Sequence, residues 1–205
     1  MTDSSTRPLA FTRRTFIATS VAATGTALAS PALAVSRPAA RQLVEALVGE
    51  INRVIASGRG ENAMLNDFER IFDQYSDVQT IAGYVLGVER RRASAAQLRN
   101  FTAAYKVYIS RLYGRRFREF IGGEVVVVTA RDLPRGVEVE TVANLRGQSP
   151  FRVDFHIEDS RGRPLFFNIV IEGINMLLSE RQEIQARLDR LGGDLDRLIA
   201  DLRSS

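Results

Sequence analysis

His156 is the single histidine of the chain, and there is no cysteine, so two of the usual nucleophiles and bases are nearly absent. Alternation places His156 beside Arg152, Asp154 and Glu158 on the polar side of a strand. A lone histidine there reads more simply as a solvated residue than as a general base. No Gly-x-Ser-x-Gly elbow, glycine-rich phosphate loop or metal-spaced His/Cys/carboxylate cluster occurs. Most acids stand next to arginines, as in Glu69-Arg70 and Asp189-Arg190, the pattern of solvated helix faces. An enzymatic reading needs a buried acid, Asp73 or Asp154, close to a tyrosine hydroxyl inside a pocket. Arg90-Arg91-Arg92 is the one strong basic run. It reads either as a solvated loop or as a grip on phosphate headgroups or an acidic membrane surface.

The first residues carry an address rather than a fold. Arg13 and Arg14 precede a modest apolar run, Phe16 to Leu28, followed by Ser30-Pro31-Ala32-Leu33-Ala34. A charged region, a short apolar region and an A-x-A site are the three parts of a secretory signal. The run is too short and too polar to cross a bilayer, which takes about 20 apolar residues. Thr12-Arg13-Arg14-Thr15-Phe16-Ile17 is similar to the twin-arginine export signal. The expectation is a signal over residues 1–34 and one mature domain over 35–205, working in the periplasm. Without the signal, 25 basic residues face 23 acidic ones, and Lys106 is the only lysine. Charge so balanced and interspersed is unlike the concentrated footprint of a nucleic-acid binder.

The elements that must position any site follow from periodicity. Helices are predicted over 39–57, 62–75, 77–88 and about 94–120, the last opened by a Ser94/Gln97 capping box. At Gly122-Gly123 the period becomes two. Four strands are predicted at 124–130, 137–146, 151–159 and 164–172, with a hairpin loop at Ser160-Arg161-Gly162-Arg163. Helices return at 179–191 and 194–203. This order makes an α+β domain with helices on one face of an antiparallel sheet. Such a sheet can enclose an apolar pocket, and a packed core is the plainer alternative.

Two blocks resemble the MlaC family, the toluene-tolerance, phospholipid-binding ABC transporter auxiliary proteins. The first, Ile81 to Tyr113, carries Leu86-Gly87, Arg91, Ala93-Ser94, Gln97 and Phe101 in the family's order. The second, Phe167 to Leu202, carries Ile171-Glu172-Gly173-Ile174-Asn175, Glu180-Arg181, Gly193-Asp194 and Leu198-Ile199. Departures are Pro164 where the family has Trp, Asn168-Ile169 for Asp-Val, Asn175 for Ser and Glu180 for Tyr. Glu89 also replaces a frequent Tyr, and Arg90 an aromatic or small residue.

The resemblance implies an NTF2-like α+β fold whose N- and C-terminal helices pack on a four-stranded antiparallel sheet around an apolar cavity. It implies a monomeric periplasmic carrier, not an enzyme, with no cofactor or metal and a bound glycerophospholipid as cargo. Its partners would be an outer-membrane lipoprotein complex and an inner-membrane ABC transporter with a substrate-binding ring, and its role outer-membrane lipid asymmetry. Hopanoid or other apolar lipids, and an adaptor without a pocket, are the alternatives. Phe72, Ile81, Val85, Phe101, Tyr105, Val127, Val139, Phe155, Phe167 and Ile169 are the expected lining. Arg90, Arg91 and Arg92 are candidates for headgroup or partner docking. Replacing Arg13 and Arg14 by Lys should sharply lower the periplasmic yield of the mature chain on fractionation. An unchanged yield would overturn the twin-arginine assignment.

Overall fold

The computed structural model describes residues 35–116, 123–160 and 162–205. The expected export signal over residues 1–34, the expected helical residues 117–120, the Gly122 break and Arg161 of the hairpin loop lie outside them. Helix α1 (Arg37–Ala56) starts at Ser36, whose hydroxyl accepts from the Ala39 amide, and buries Val44, Leu47, Ile51, Val54 and Ile55 on one stripe. Helix α2 (Glu61–Tyr75) buries Met64, Phe68, Ile71 and Tyr75. Tyr75 donates to Glu50 Oε1 at 2.7 Å, which ties α2 back to α1. Helix α3 (Val78–Leu86) is capped by Asp77. It ends two residues earlier than periodicity predicts, because Gly87 turns to φ 63° and residues Gly87–Arg91 tighten into a 3-10 turn. Helix α4 (Ala95–Arg116) opens with the expected reciprocal cap: Ser94 N donates to Gln97 Oε1, and Gln97 N to Ser94 Oγ.

The strands are β1 (Glu124–Asp132), β2 (Val137–Asn144), β3 (Phe151–Ser160), β4 (Arg163–Ile171) and β5 (Ile174–Asn175). They form one open antiparallel sheet in sequential order. The sheet thus has a fifth strand beyond the four predicted. Two residues are too few for periodicity to register, and β5 pairs only Val170 with Asn175 and Ile171 with Ile174. Helices α5 (Met176–Arg190) and α6 (Leu195–Ser204) complete the chain. Both have side-chain caps, from Asn175 and Asp194.

One face of the sheet receives the helices. Helix α1 runs against β1 to β4, α3 and α5 touch β4, and α4 packs on α2, α3 and α6 rather than down onto the strands. At the exposed edge of β1, Asn52 donates to the Val125 carbonyl and accepts from its amide, and Arg41 donates to the Val128 carbonyl. Edge groups answered in this way offer less of a template for another strand. Among the described residues, no helix is long and apolar enough to cross a membrane.

Two glycines set the hairpins. In the Glu172-Gly173 turn both residues have positive φ, 48° and 80°. That is the signature of a type I′ turn matched to strand twist. Glu172 is held there by Arg152, whose amide donates to the Glu172 carboxylate and whose carbonyl accepts from the Glu172 amide. Gly136 has φ 82°, and a Cβ added to it would collide with the Ile157 carbonyl oxygen, whereas one at Gly173 would meet open space. Gly173→Ala should therefore cost only the left-handed backbone penalty, about 1–2 kcal/mol. Gly136→Ala should cost clearly more, because the clash adds to the same penalty. Urea unfolding of the two variants checks the order, and equal losses would contradict it.

Candidate functional site: an apolar cavity between α4 and the sheet

Because α4 is carried by other helices and not by the strands, a gap opens between its inner stripe and the sheet. The gap is a cavity of about 340 Å³. Tyr105, Ile109 and Tyr113 of α4 form one wall, and Val153, Phe155, Ile169 and Ile171 of the sheet the opposite one. Helices α1 and α2 close one side through Leu47, Ile51, Phe68, Ile71 and Phe72. The first turn of α5 contributes Met176 and Leu177. Six phenylalanines take part, and rings meet at an angle through the wall: Phe72 tilted on Phe166 at 6.0 Å, Phe166 edge-on to Phe155 at 5.8 Å. Exposed Gln148 and half-buried Phe151, Met176 and Leu177 also line the space, so the mouth lies on their side.

Of the ten residues expected to line a pocket, Phe72, Ile81, Tyr105, Phe155, Phe167 and Ile169 do so. Four stand elsewhere. Val85 is fully buried where α3 meets α5, and the Gln185 side chain donates to its carbonyl. Phe101 stacks on Tyr105 at 5.8 Å, deep in the helical layer. Val139 is fully buried on β2 opposite Phe155, on a strand that α1 covers. Val127 is half-buried at the β1 bulge, where the register shifts between Val127 and Thr129. Periodicity marks the inward face of an element but not which inward residues border a void. For that reason it also missed Ile109, Tyr113, Val153 and Phe166.

Phe166 has a further cause. The β3/β4 register shifts between His156 and Ile157, so that Asn168 pairs with His156 and Phe166 with Ile157, leaving Phe167 as the extra residue. A bulge of this kind reverses which alternate side chains face inward. Strict alternation along β4 would have left Phe166 on the polar side.

The wall is not wholly apolar. Glu180 on α5 is 8% exposed, and the Tyr113 hydroxyl donates to its Oε1 at 2.8 Å. Burial pushes the neighbouring Tyr105 phenol well above its ordinary range, and the negative charge of Glu180 adds to this, so Tyr105 holds its proton. The acids proposed from sequence lie elsewhere. Asp73 is exposed and bonded to Lys106 at 3.3 Å, and buried Asp154 accepts from Arg152 at 2.7 Å on the other face of the sheet.

That outer face is less solvated than its alternation suggested. Glu138 is 5% exposed and accepts from Arg131, Arg152 and His156. His156 is half-buried, with Nε2 3.2 Å from Glu138 Oε2 and Nδ1 3.3 Å from the Asn168 amide nitrogen. Asn168 Oδ1 accepts from the Leu177 amide at 3.1 Å. The Asn168 amide must therefore donate to Nδ1, which leaves the ring proton on Nε2 for Glu138. The chain Glu138–His156–Asn168–Leu177 thus anchors the α5 turn that borders the mouth. Arg90, Arg91 and Arg92 are exposed on and just after the 3-10 turn, outside the cavity wall.

A profile of the MlaC protein family matches residues 41–204, which is most of the chain and includes every cavity element. The chain belongs to the MlaC family. A solved structure, the phospholipid-binding protein from Ralstonia solanacearum in complex with a phospholipid, superposes with a TM-score of 0.65 at 18% sequence identity. The superposition covers 80% of this chain and 98% of that one, so the two share a fold. Where this member departs from the MlaC pattern, the structure shows what the changes do. Glu180 puts a carboxylate in the cavity wall, Asn168 bridges His156 to α5, and Asn175 caps that helix through the Leu178 amide.

Burial alone would raise the Glu138 carboxyl, but the hydrogen bond and charge of Arg131, with His156 behind them, outweigh it and hold it below the usual range. Its stabilisation is therefore complete above the unfolded value, about 4.3, and is lost as pH falls through the lower folded value. Glu138→Gln should cost about 1–3 kcal/mol at pH 7. Urea unfolding at pH 7 and in strong acid should show the gap between variant and wild type shrinking with acid. A gap independent of pH would contradict the assignment.

Proposed function

We propose that the protein is a phospholipid carrier of the periplasm, holding acyl chains in the cavity with the headgroup toward the Gln148–Leu177 mouth. The observation that carries this reading is the cavity, whose volume of about 340 Å³ falls within the range of small-molecule sites. Its wall of phenylalanine and aliphatic side chains suits hydrocarbon, which gains about 0.8 kcal/mol per methylene buried. Membership of the MlaC family and the phospholipid held by the Ralstonia solanacearum protein support the same class of cargo. Secretion by the twin-arginine route would deliver the chain already folded. In the cell it would pass lipid between an outer-membrane lipoprotein complex and an inner-membrane ABC transporter with a substrate-binding ring, and so maintain outer-membrane lipid asymmetry. A hopanoid or another apolar lipid would meet the same walls. We read the helix-over-sheet enclosure as NTF2-like.

A second reading rests on the Tyr113–Glu180 pair, an acid beside a hydroxyl in an apolar pocket, which is the arrangement an enzyme of this shape would use. The two readings separate on one preparation. Native mass spectrometry of residues 35–205, purified without detergent, should show a bound lipid mass released only on unfolding. Val153→Trp, which fills the gap from the sheet side, should reduce that bound fraction at least tenfold while circular dichroism is unchanged. Glu180→Gln should leave the mass of the recovered lipid as it was. An empty wild type that also refuses added phospholipid would sink the carrier. A lipid whose mass changes with Glu180→Gln would mark the enzyme instead.

A further inference from the structure

Six large apolar side chains of the described residues are exposed, and four of them gather on one side. Tyr84 is in the last turn of α3, Val88 sits in the 3-10 turn, Ile174 is in β5 and Leu178 is on the first turn of α5. The two elements are locked together there. The Arg181 guanidinium lies over the Tyr84 ring at 5.0 Å and donates to the Tyr84 carbonyl, while Gln185 donates to the carbonyls of Val85 and Leu86. Leu178 and Arg181 are three apart on α5, hence neighbours on one helix face.

Cationic charge borders this apolar surface on its α3 and α5 side, while the exposed Glu172 beside Ile174 accepts from the Arg152 amide. Arg90 lies along α3, its guanidinium about 3.2 Å from where a Gly83 Cβ would stand, and Arg91 follows it on the exposed turn. The nearest acid of the turn, Glu89, is engaged by Arg92 at 3.2 Å. Among the described residues, no carboxylate forms an ion pair with Arg90, Arg91 or Arg181. The same helix turn that presents Leu178 outward presents Met176 and Leu177 to the cavity. The surface and the mouth therefore share one element.

We propose that this α3–α5 face docks the protein on an anionic bilayer surface, with Arg90, Arg91 and Arg181 among the headgroups and Val88, Leu178 and Tyr84 at the acyl boundary. Arginines attract anionic headgroups within a Debye length, and exposed apolar side chains gain by shallow burial beside them. Neither contribution is sufficient by itself. Four side chains make a small apolar footprint, so the charge must bring the face to the surface and the apolar groups must hold it there. Docked in this way, the cavity mouth faces the lipid source across one helix turn. The carrier reading gives this arrangement its use, but the docking stands on charge and exposure alone.

The absence of tryptophan makes the test direct, since a single introduced indole reports its own depth. The mature chain is floated with vesicles of phosphatidylcholine alone or mixed equally with phosphatidylglycerol. Binding should appear only with phosphatidylglycerol and fade as salt rises. The emission of Leu178→Trp should shift blue on the mixed vesicles, and that of Val126→Trp, on the far β1 strand, should not. Arg90→Glu/Arg91→Glu/Arg181→Glu should weaken vesicle binding on the order of a hundredfold. Arg90→Glu/Arg91→Glu, which leaves the Arg181–Tyr84 contact intact, should weaken it less but measurably. Cavity lipid is counted on the same variants by native mass spectrometry. Loss of docking with cavity lipid retained supports the proposal, and docking by a protein whose cavity is empty and refuses added phospholipid overturns the carrier while leaving the face in place. Wild type that ignores the mixed vesicles at low salt overturns the docking proposal and leaves the face to a protein partner. Equal binding by the charge-reversed variants overturns it as well.

Discussion

The constraint behind the rest of this structure is that the inward face of a twisted, open sheet must be covered, and the helices cover it without filling it. Helix α1 lies close to the strands, but α4 rests on α2, α3 and α6. The aromatic layer Phe101, Tyr105 and Tyr108 lies along α4, with ring centroids 5.8 and 6.2 Å apart in turn. Dense packing between helices thus coexists with open space beneath one of them. Protein interiors are ordinarily packed as tightly as organic crystals. An apolar gap of this size is therefore a feature the surrounding helices must hold open.

The α2–α3 junction fixes the position of one wall. Ser76 bridges to Phe166, the Asp77 amide donates to the Phe166 carbonyl at 2.8 Å, and Ser160 donates to the Asp77 carboxylate. Asp77 also caps α3. One short segment therefore connects two helices to both strands of the β3–β4 hairpin, next to the bulge that brings Phe166 inward. On the far face of the sheet, the buried carboxylates of Glu138 and Asp154 are answered by arginines from neighbouring positions. Buried charge is tolerated when it is paired and hydrogen-bonded. Through His156 and Asn168 this polar network reaches the first turn of α5, so the two faces of the sheet are coupled at the cavity mouth.

That turn of α5 has three neighbours of different chemistry. Inward lie Met176 and Leu177 with the apolar gap; beneath is Asn168, which fixes the Leu177 amide; outward is Leu178 among arginines. A helix end normally leaves backbone donors unsatisfied. Here Asn175 and Asn168 satisfy two of them, in a turn that sits half-exposed beside an apolar opening.

Helix and strand positions were legible in the sequence because burial on one face imposes its own period, and caps such as Ser94 with Gln97 mark starts locally. The α+β class and the positions of the four long strands followed from the same periods, and the family from spaced motifs. The inward orientation of Ile81, Tyr105, Phe155 and Ile169 followed too, since each lies on the apolar side of its element. Three things were decided only by tertiary structure. The β3/β4 bulge inverted the alternation that would have placed Phe166 outside, because register is a property of the strand pair and not of either strand. Val85, Phe101 and Val139 became solid core while Ile109 and Val153 bordered the gap, because hydrophobicity records burial and carries no information about whether the neighbouring space is filled. Glu180, marked in the sequence only as a departure from the family's Tyr, became a partner of Tyr113 in the cavity wall only once α5 was placed against α3 and β4. A carboxylate's surroundings belong to the packing of several elements, and no local stretch of sequence contains them.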